Sequence, residues 1–348
     1  MESEWKPNVL VIGPGGMKGF KYLGAIWALE DAGYLDELEI IAGVSVGSFI
    51  STLWLAGYKM NEIFHIAVDS GIFHGVDSID ITRVITNQGA VDPRNLIDLV
   101  SSKLVQKYGF VPTMEKFYML TGIKLEIFGS DLYHVDEDIY TYETTPELSV
   151  VQACMYSAGI PLIFERQYRD GCSVVDGGFS NPYPVDHYDS GSNRVLGIAL
   201  ETQFDSDPSD IFTYVYRCMN QPVTMLRRKI IKCSSDRCRH ILLYSKQTDI
   251  TGLTMDLDTK KGMLVQGWTS TETTINRWRA GIKSIEIPAQ GEIPVVPEDE
   301  VFKELSVLPE NPLNIKVEKL DEKSGTTDDD KYVYIKITEE TANRLGLH

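Results

Sequence analysis

Three short stretches of the chain hold residue types that acyl-transfer chemistry requires. The first is GVSVG, residues 43–47, a G-x-S-x-G pattern. Gly43 and Gly47 remove the side chains that would crowd a sharp turn, so the hydroxyl of Ser45 can project as a nucleophile. The second is VVDGGF, in which Asp176 precedes Gly177 and Gly178. An aspartate at such a turn, partly withdrawn from water, can accept the serine proton as a general base without a histidine. The third is GPGGMKG, with Gly13, Gly15, Gly16 and Gly19 packed into seven residues.

A glycine-rich turn of the third kind holds negative charge against backbone N–H groups, and its spacing decides which charge. A dinucleotide site needs G-x-G-x-x-G, but Lys18 occupies the third glycine position and Gly19 falls one residue late. A phosphate-cradling P-loop needs four residues and then Gly-Lys-Ser/Thr, which this turn lacks. The remaining charge is the oxyanion that forms when Ser45 attacks a carbonyl. Fixed N–H donors at that point are worth ~3–4 kcal/mol each. Pro14 has no N–H and is expected to stiffen the turn.

These stretches need elements that bring them together. Residues 8–12 read as a buried strand, and Lys18 to Ala32 as a helix capped by Gly33. LEIIAGV reads as a second buried strand running into the helix SVGSFISTLWLAG. Strand–turn–helix repeated in this way predicts a parallel sheet covered by helices. Residues 58–120 read as mostly helical, with Asp92 as a cap and Pro93 in the first turn of one helix. KLEIFGSDL, DIYTYETT, CSVV and RVLGIALE read as strands, and PELSVVQACMYSAG as a helix. Residues 208–282 read as helical, interrupted at Pro222. If the two glycine turns and Asp176 share one sheet edge, Gly15 and Gly16 can point their N–H groups at a carbonyl attacked by Ser45.

The six histidines offer no clear base. His65 and His74 fall in a helical region, His134 and His187 in polar surroundings, and His348 is the last residue. His240 enters an apolar strand beside a basic cluster. None sits in a glycine-flanked loop at a strand end, so surface or packing roles are expected for all six.

In this order and spacing, PGGMKG, GVSVG and DGG resemble the patatin-like phospholipase family, and VVQACMYSAGIPLIF resembles the helix and proline turn preceding that family's aspartate strand. The similarity covers roughly residues 8–200. It implies a three-layer α/β fold, a mostly parallel sheet flanked by helices. It also implies a lipid acyl hydrolase with a Ser–Asp dyad: Ser45 as nucleophile, Asp176 as base, and an oxyanion hole from the Gly15 and Gly16 backbone. Lys18 falls in the family's usual Arg/Lys position. Pro14 departs from the family, which usually has glycine there.

Composition narrows the setting. At 348 residues, with 43% hydrophobic and 24% charged residues, the chain is long enough for one large domain or two ordinary ones. A net charge of −17 argues against nucleic acid as a partner. The start, MESEWKPNVL, lacks the pattern of a signal peptide, and no apolar run approaches the ~18 residues of a spanning helix. Five cysteines without framework spacing fit reduced thiols in the cytoplasm. Cys233 and Cys238 lack a second ligand pair, so neither metal nor cofactor is expected. The run RRKIIKCSSDRCRH, Arg227 to His240, is a concentrated basic stretch in an acidic chain. It reads as a solvated helix face or as a contact for anionic headgroups.

From about residue 283 proline punctuates the sequence, and fifteen acidic residues face eight basic ones, a net −7. The expected organisation is a hydrolase domain at 1–282 and an acidic extension at 283–348. That extension would be a small β unit with a hairpin flanking KSGTTDDD. The expected activity is phospholipase A-type cleavage of fatty-acyl esters, on a phospholipid or other acyl lipid met transiently at a membrane or droplet surface. A carboxylesterase or thioesterase on dispersed substrates and a non-catalytic lipid-binding protein are the alternatives.

Overall fold

The computed structural model describes residues 5–69, 81–204, 207–208, 210–247, 255–282, 315–319 and 333–337. The chain forms two units, Met1–Pro294 and Val295–His348. The expected boundary at 282/283 and the acidic loop KSGTTDDD lie outside the described residues.

The first unit opens with strand β1 (Val9–Ile12), a 3-10 turn at Gly16–Gly19 and helix α1 (Phe20–Asp31). Strand β2 (Ile40–Val44) and helix α2 (Val46–Leu55) repeat the pattern. Helices α3 (Met60–Asp69) and α4 (Ile81–Asn87), strand β3 (Gly89–Val91), and helices α5 (Arg94–Tyr108) and α6 (Met114–Thr121) follow. Strands β4 (Lys124–Asp131) and β5 (Asp136–Tyr140) form a hairpin that leads to helix α7 (Val150–Ser157). Strands β6 (Leu162–Phe164), β7 (Gln167–Arg169), β8 (Cys172–Asp176) and β9 (Val195–Phe204) precede helix α8 (Ile211–Cys233), strand β10 (Cys238–Gln247) and helix α9 (Leu257–Arg279).

Eight strands form the main sheet, in the order β10-β9-β1-β2-β4-β8-β7 with β5 also on β4. The run from β10 to β4 is parallel throughout. All four residues of β1 are fully buried, so the strand needs apolar side chains on both faces. Val9 and Val11 join a cluster with Tyr183, Val185, Ile230 and Ile231, which places the end of α8 on that face. Ile12 alternates to the other face and meets α2, whose Gly47 sits against it. Helices on both faces of a mostly parallel sheet give the three expected layers.

The far end of the sheet differs from a simple parallel layout. Ile127 pairs with Gly43 of β2 and with Tyr140 of β5, so those strands lie on opposite edges of β4. Gly129 pairs with Asp138 of β5 and with Asp176 of β8, so β8 lies opposite β5 as well. Strands β2 and β8 therefore share one edge of β4 end to end. Because β8 runs antiparallel, its C-terminal end meets the C-terminal end of β2.

Local departures from expectation have identifiable causes. Helix α5 is capped by Pro93, while Asp92 stands one residue outside and accepts the Arg94 N–H at 2.9 Å. Pro222 does not break α8. Both Pro222 and Cys218, whose carbonyl the proline leaves unpaired, are on the exposed side, where water can serve. What interrupts residues 208–282 is β10, an apolar run that completes the parallel sheet. In the second unit, strands β11 (Ile315–Lys319) and β12 (Val333–Ile337) pair in parallel, so they do not form the expected hairpin. The 13 residues between them suffice for a parallel crossover, which needs about a dozen.

Candidate active site

Ser45 follows the last residue of β2 and precedes the first of α2, with φ 56° and ψ −125°. A non-glycine residue at positive φ is strained and must be held by its surroundings. The holding contacts are specific. The Ser157 hydroxyl accepts the Ser45 N–H at 2.8 Å and donates to the Phe128 carbonyl at 2.5 Å. The Ser48 hydroxyl donates to the Ser45 carbonyl at 2.6 Å. Gly47 must be glycine, because a Cβ there would lie 2.4 Å from the Ile12 carbonyl oxygen. Gly43 likewise abuts the backbone of Ser48.

Asp176 arrives from the opposite direction at the end of β8 and is 4% exposed. Its Oδ1 accepts the Gly178 N–H at 2.8 Å, an Asx-type turn. Its Oδ2 is buried and has no close partner. Burial pushes the carboxyl up to about 6, opposed by the nearby Ser45 hydroxyl and by the Gly178 N–H. A carboxyl so poised is ionised at neutral pH yet basic enough to accept a proton. Gly177 permits the approach, since a Cβ there would sit 2.0 Å from the Phe128 carbonyl oxygen.

The glycine turn stands beside these two residues. Gly13 donates its N–H to Ile198 of β9 at 3.1 Å, anchoring the turn to the sheet. The Tyr22 hydroxyl, deep in α1, donates to the Pro14 carbonyl at 2.9 Å. The peptide bonds of the described residues are all trans, so the Gly15 N–H points away from Tyr22. Gly15 has no room for a side chain between Leu200 and Tyr22, and Gly16 takes φ 52°. Gly19 packs on Val46 of α2, tying the turn to the helix that follows Ser45. Lys18 is 8% exposed, and its Nζ donates to the Thr202 hydroxyl at 2.9 Å.

Two cavities meet at Ser45, and Gly15, Gly16 and Lys18 line both. One, of about 180 Å³, is walled by apolar residues including Phe49, Leu53, Leu96, Leu99 and Phe164. The other, of about 100 Å³, is the more polar of the two and is lined by Asp176, Thr202, Asn220 and Arg227. A serine hydroxyl beside a buried carboxylate, with backbone amides near it and an apolar chamber on one side, can cleave an ester of a long apolar acid.

A sequence profile of patatin-like phospholipases matches residues 10–188, just over half the chain. The chain belongs to the patatin-like phospholipase family. It is 26% identical over 228 residues to "Probable lipid hydrolase 463L" of Invertebrate iridescent virus 6, covering 63% of this chain and 78% of that protein. It is 25% identical over 214 residues to human "Patatin-like phospholipase domain-containing protein 6", covering 59% of this chain and 14% of that one. A crystal structure of VipD from Legionella pneumophila superposes with TM-score 0.49 at 15% identity, covering 78% of this chain and 67% of that chain.

In this patatin-like chain the described histidines stand apart from Ser45. His240 is buried on β10 between the Tyr183 hydroxyl at 2.9 Å and the Ser234 hydroxyl at 2.8 Å, and burial pushes it down to about 4. His187 pairs with Glu137 at 2.8 Å, which raises its pKa. His134 pairs with Asp131 at 2.8 Å, and His65 is exposed. None of these four lines either cavity. His74 and His348 lie outside the described residues.

The basic run is not one surface patch. Lys229, Lys232 and Arg237 are exposed, while Arg227 and Arg228 turn inward to Glu201. Arg239 lies over the Trp5 and Trp278 rings, 4.1 and 5.3 Å from their centroids. Helical spacing carried the signal. Arg227 falls three and seven residues after Thr224 and Asn220, which face the polar cavity. Ser157 and Tyr22 were also missed as site residues. A buried serine late in a core helix and a tyrosine on the helix after a glycine turn were their only marks.

Proposed function

We propose that the chain is a lipid acyl hydrolase of phospholipase A type that works through a Ser45–Asp176 dyad. Ser45 attacks the ester carbonyl while Asp176 takes its proton. The tetrahedral oxyanion is held by the Gly15 and Gly16 N–H groups, with Lys18 adding positive charge nearby. Asp176 then returns the proton to the departing alcohol, and water, activated by the same carboxylate, cleaves the acyl-enzyme. The observation that carries this reading is the buried carboxyl of Asp176 beside Ser45, which itself lines an apolar cavity. That cavity favours a fatty-acyl ester over a small dispersed ester, and the relative named as a probable lipid hydrolase supports the same choice.

The reading extends to a lipid surface as the place of encounter. No described helix is long and apolar enough to cross a membrane. The outer side of α8 exposes Ile211, Tyr214 and Met225, at 66%, 55% and 63%, with Lys229 and Lys232 further along. The same helix lines the polar cavity with its inner side. The five cysteines are free thiols, which suits the cytoplasm. Residues 1–282 would carry the activity, and removal of residues from about 300 onward would leave hydrolysis of a short ester. Incubation with a mixed-lipid extract and identification of the products tests the reading. Released fatty acid supports it, and an unchanged lipid profile from folded protein contradicts it.

A further inference from the structure

Arg227 lies on the inner side of α8, with Tyr216, Asn220 and Thr224 at helical spacing, and faces the polar cavity beside Ser45. It is 6% exposed, and its Nη2 meets Glu201 Oε1 at 3.2 Å. That contact does not account for it. Arg228 alone approaches both Glu201 oxygens, with Nη2 at 3.0 Å and Nε at 3.2 and 3.4 Å. Two guanidinium groups therefore share one carboxylate, leaving a surplus positive charge. The Arg227 Nε is buried without any hydrogen-bond partner. A buried charged donor left unmade is costly and is retained where an acceptor arrives. Lys18 adds a second positive charge to the same cavity, against the single negative charge of Asp176.

We propose that Arg227, with Lys18, forms a subsite for a phosphate-type anion on the alcohol side of the substrate. The inference rests on the hydrolase reading above and adds the chemistry of the leaving group. With the acyl chain in the apolar cavity and the carbonyl at Ser45, the ester's alcohol portion enters the polar cavity. A guanidinium matches a phosphate in shape and charge. The subsite thus selects acyl esters of phosphate-bearing glycerol over neutral glycerides.

The test compares two substrates with one acyl chain, 1-palmitoyl lysophosphatidylcholine and 1-palmitoyl glycerol, in wild type, Arg227→Gln and Arg227→Lys. Wild type should favour the phosphate-bearing ester in kcat/KM by at least about tenfold, the equivalent of one hydrogen bond to a charged group. Arg227→Gln should collapse that ratio toward one, chiefly through KM, and Arg227→Lys should restore part of it. An equal fall on both substrates would mark a purely structural ion pair and overturn the proposal. Inorganic phosphate serves as a second probe. Competitive inhibition by phosphate without a preference between the two lipids would mark a free-anion site and overturn the headgroup assignment. If Arg227→Gln does not fold, wild type decides: glycerol 3-phosphate should slow fluorophosphonate labelling more than glycerol does. Equal rates would overturn the subsite. Absence of labelling and of turnover on every ester would instead refute the hydrolase reading. Calorimetry of glycerol 3-phosphate with wild type would then still decide the anion site.

Discussion

Val44 and Asp176 pair with consecutive residues of one strand, Phe128 and Gly129. Ser45, next after Val44, is thereby brought to Asp176 by β4 alone, although 131 positions separate the two in the sequence. The convergence depends on β8 running against β4 on the edge that β2 vacates. Ser157, which grips both the Ser45 N–H and the Phe128 carbonyl, fastens the junction.

Asp176→Asn should abolish ester turnover while making the fold more stable at neutral pH. The folded carboxyl titrates near 6, above its ordinary 3.8, so the folded chain keeps the proton longer than the unfolded chain. Stability is therefore highest below about pH 4 for this group and falls as pH rises through 6. The loss above that window is on the order of 3 kcal/mol. Urea unfolding of both proteins from pH 4 to 8 should show the Asn variant's advantage growing with pH and levelling above about 7. A constant difference would contradict the buried-carboxylate account. Wild-type kcat/KM should rise as pH passes about 6.

Ser157→Ala leaves the Ser45 N–H and the Phe128 carbonyl without their shared partner. Each buried group left unpaired costs ~1–3 kcal/mol, so stability should fall by a few kcal/mol. Turnover should fall about tenfold or more as Ser45 leaves its strained conformation. Ser157→Thr, which keeps the hydroxyl, should recover part of both in chemical denaturation and ester assays.

Tyr22→Phe removes the hydroxyl that fixes the Pro14 carbonyl and hence the direction of the Gly15 N–H. The expected effect is a drop in kcat of about tenfold, less than the ~2.7–4 kcal/mol for complete loss of an oxyanion donor, with KM nearly unchanged. A rise in KM at constant kcat would assign Tyr22 to substrate binding.

The strand–turn–helix order, the three motifs and their meeting at one edge were legible in the sequence, because buried parallel strands read as apolar runs and glycine marks tight approaches. The antiparallel arrival of β8 was not, since a five-residue strand does not encode its direction. Pro222 looked like a helix break, but the exposed side of α8 tolerates it. Arg227 was hidden inside a run of similar charges, because only the helix phase separates it from Lys229. Ser157 and Tyr22 act through hydrogen bonds to distant backbone, which no local pattern announces.

The outer side of α8 should set affinity for lipid surfaces. Replacing Lys229 and Lys232 by Gln should weaken sedimentation with phosphatidylserine vesicles, at ~1 kcal/mol for each lysine near the surface. Added salt should weaken wild-type binding in the same way. Replacing Ile211 and Met225 by Ser should weaken binding to neutral vesicles as well. Binding indifferent to all four substitutions would exclude α8 as the contact.

Ser45 is expected to be the nucleophile, activated by Asp176 without a histidine. Peptide mass mapping after fluorophosphonate treatment tests this most directly, on wild type, Asp176→Asn and the folded His187→Ala and His240→Ala variants. A stoichiometric adduct is expected on Ser45 in wild type and in both histidine variants, and little or none in Asp176→Asn. An adduct on another serine, or its loss in a folded histidine variant, would contradict it.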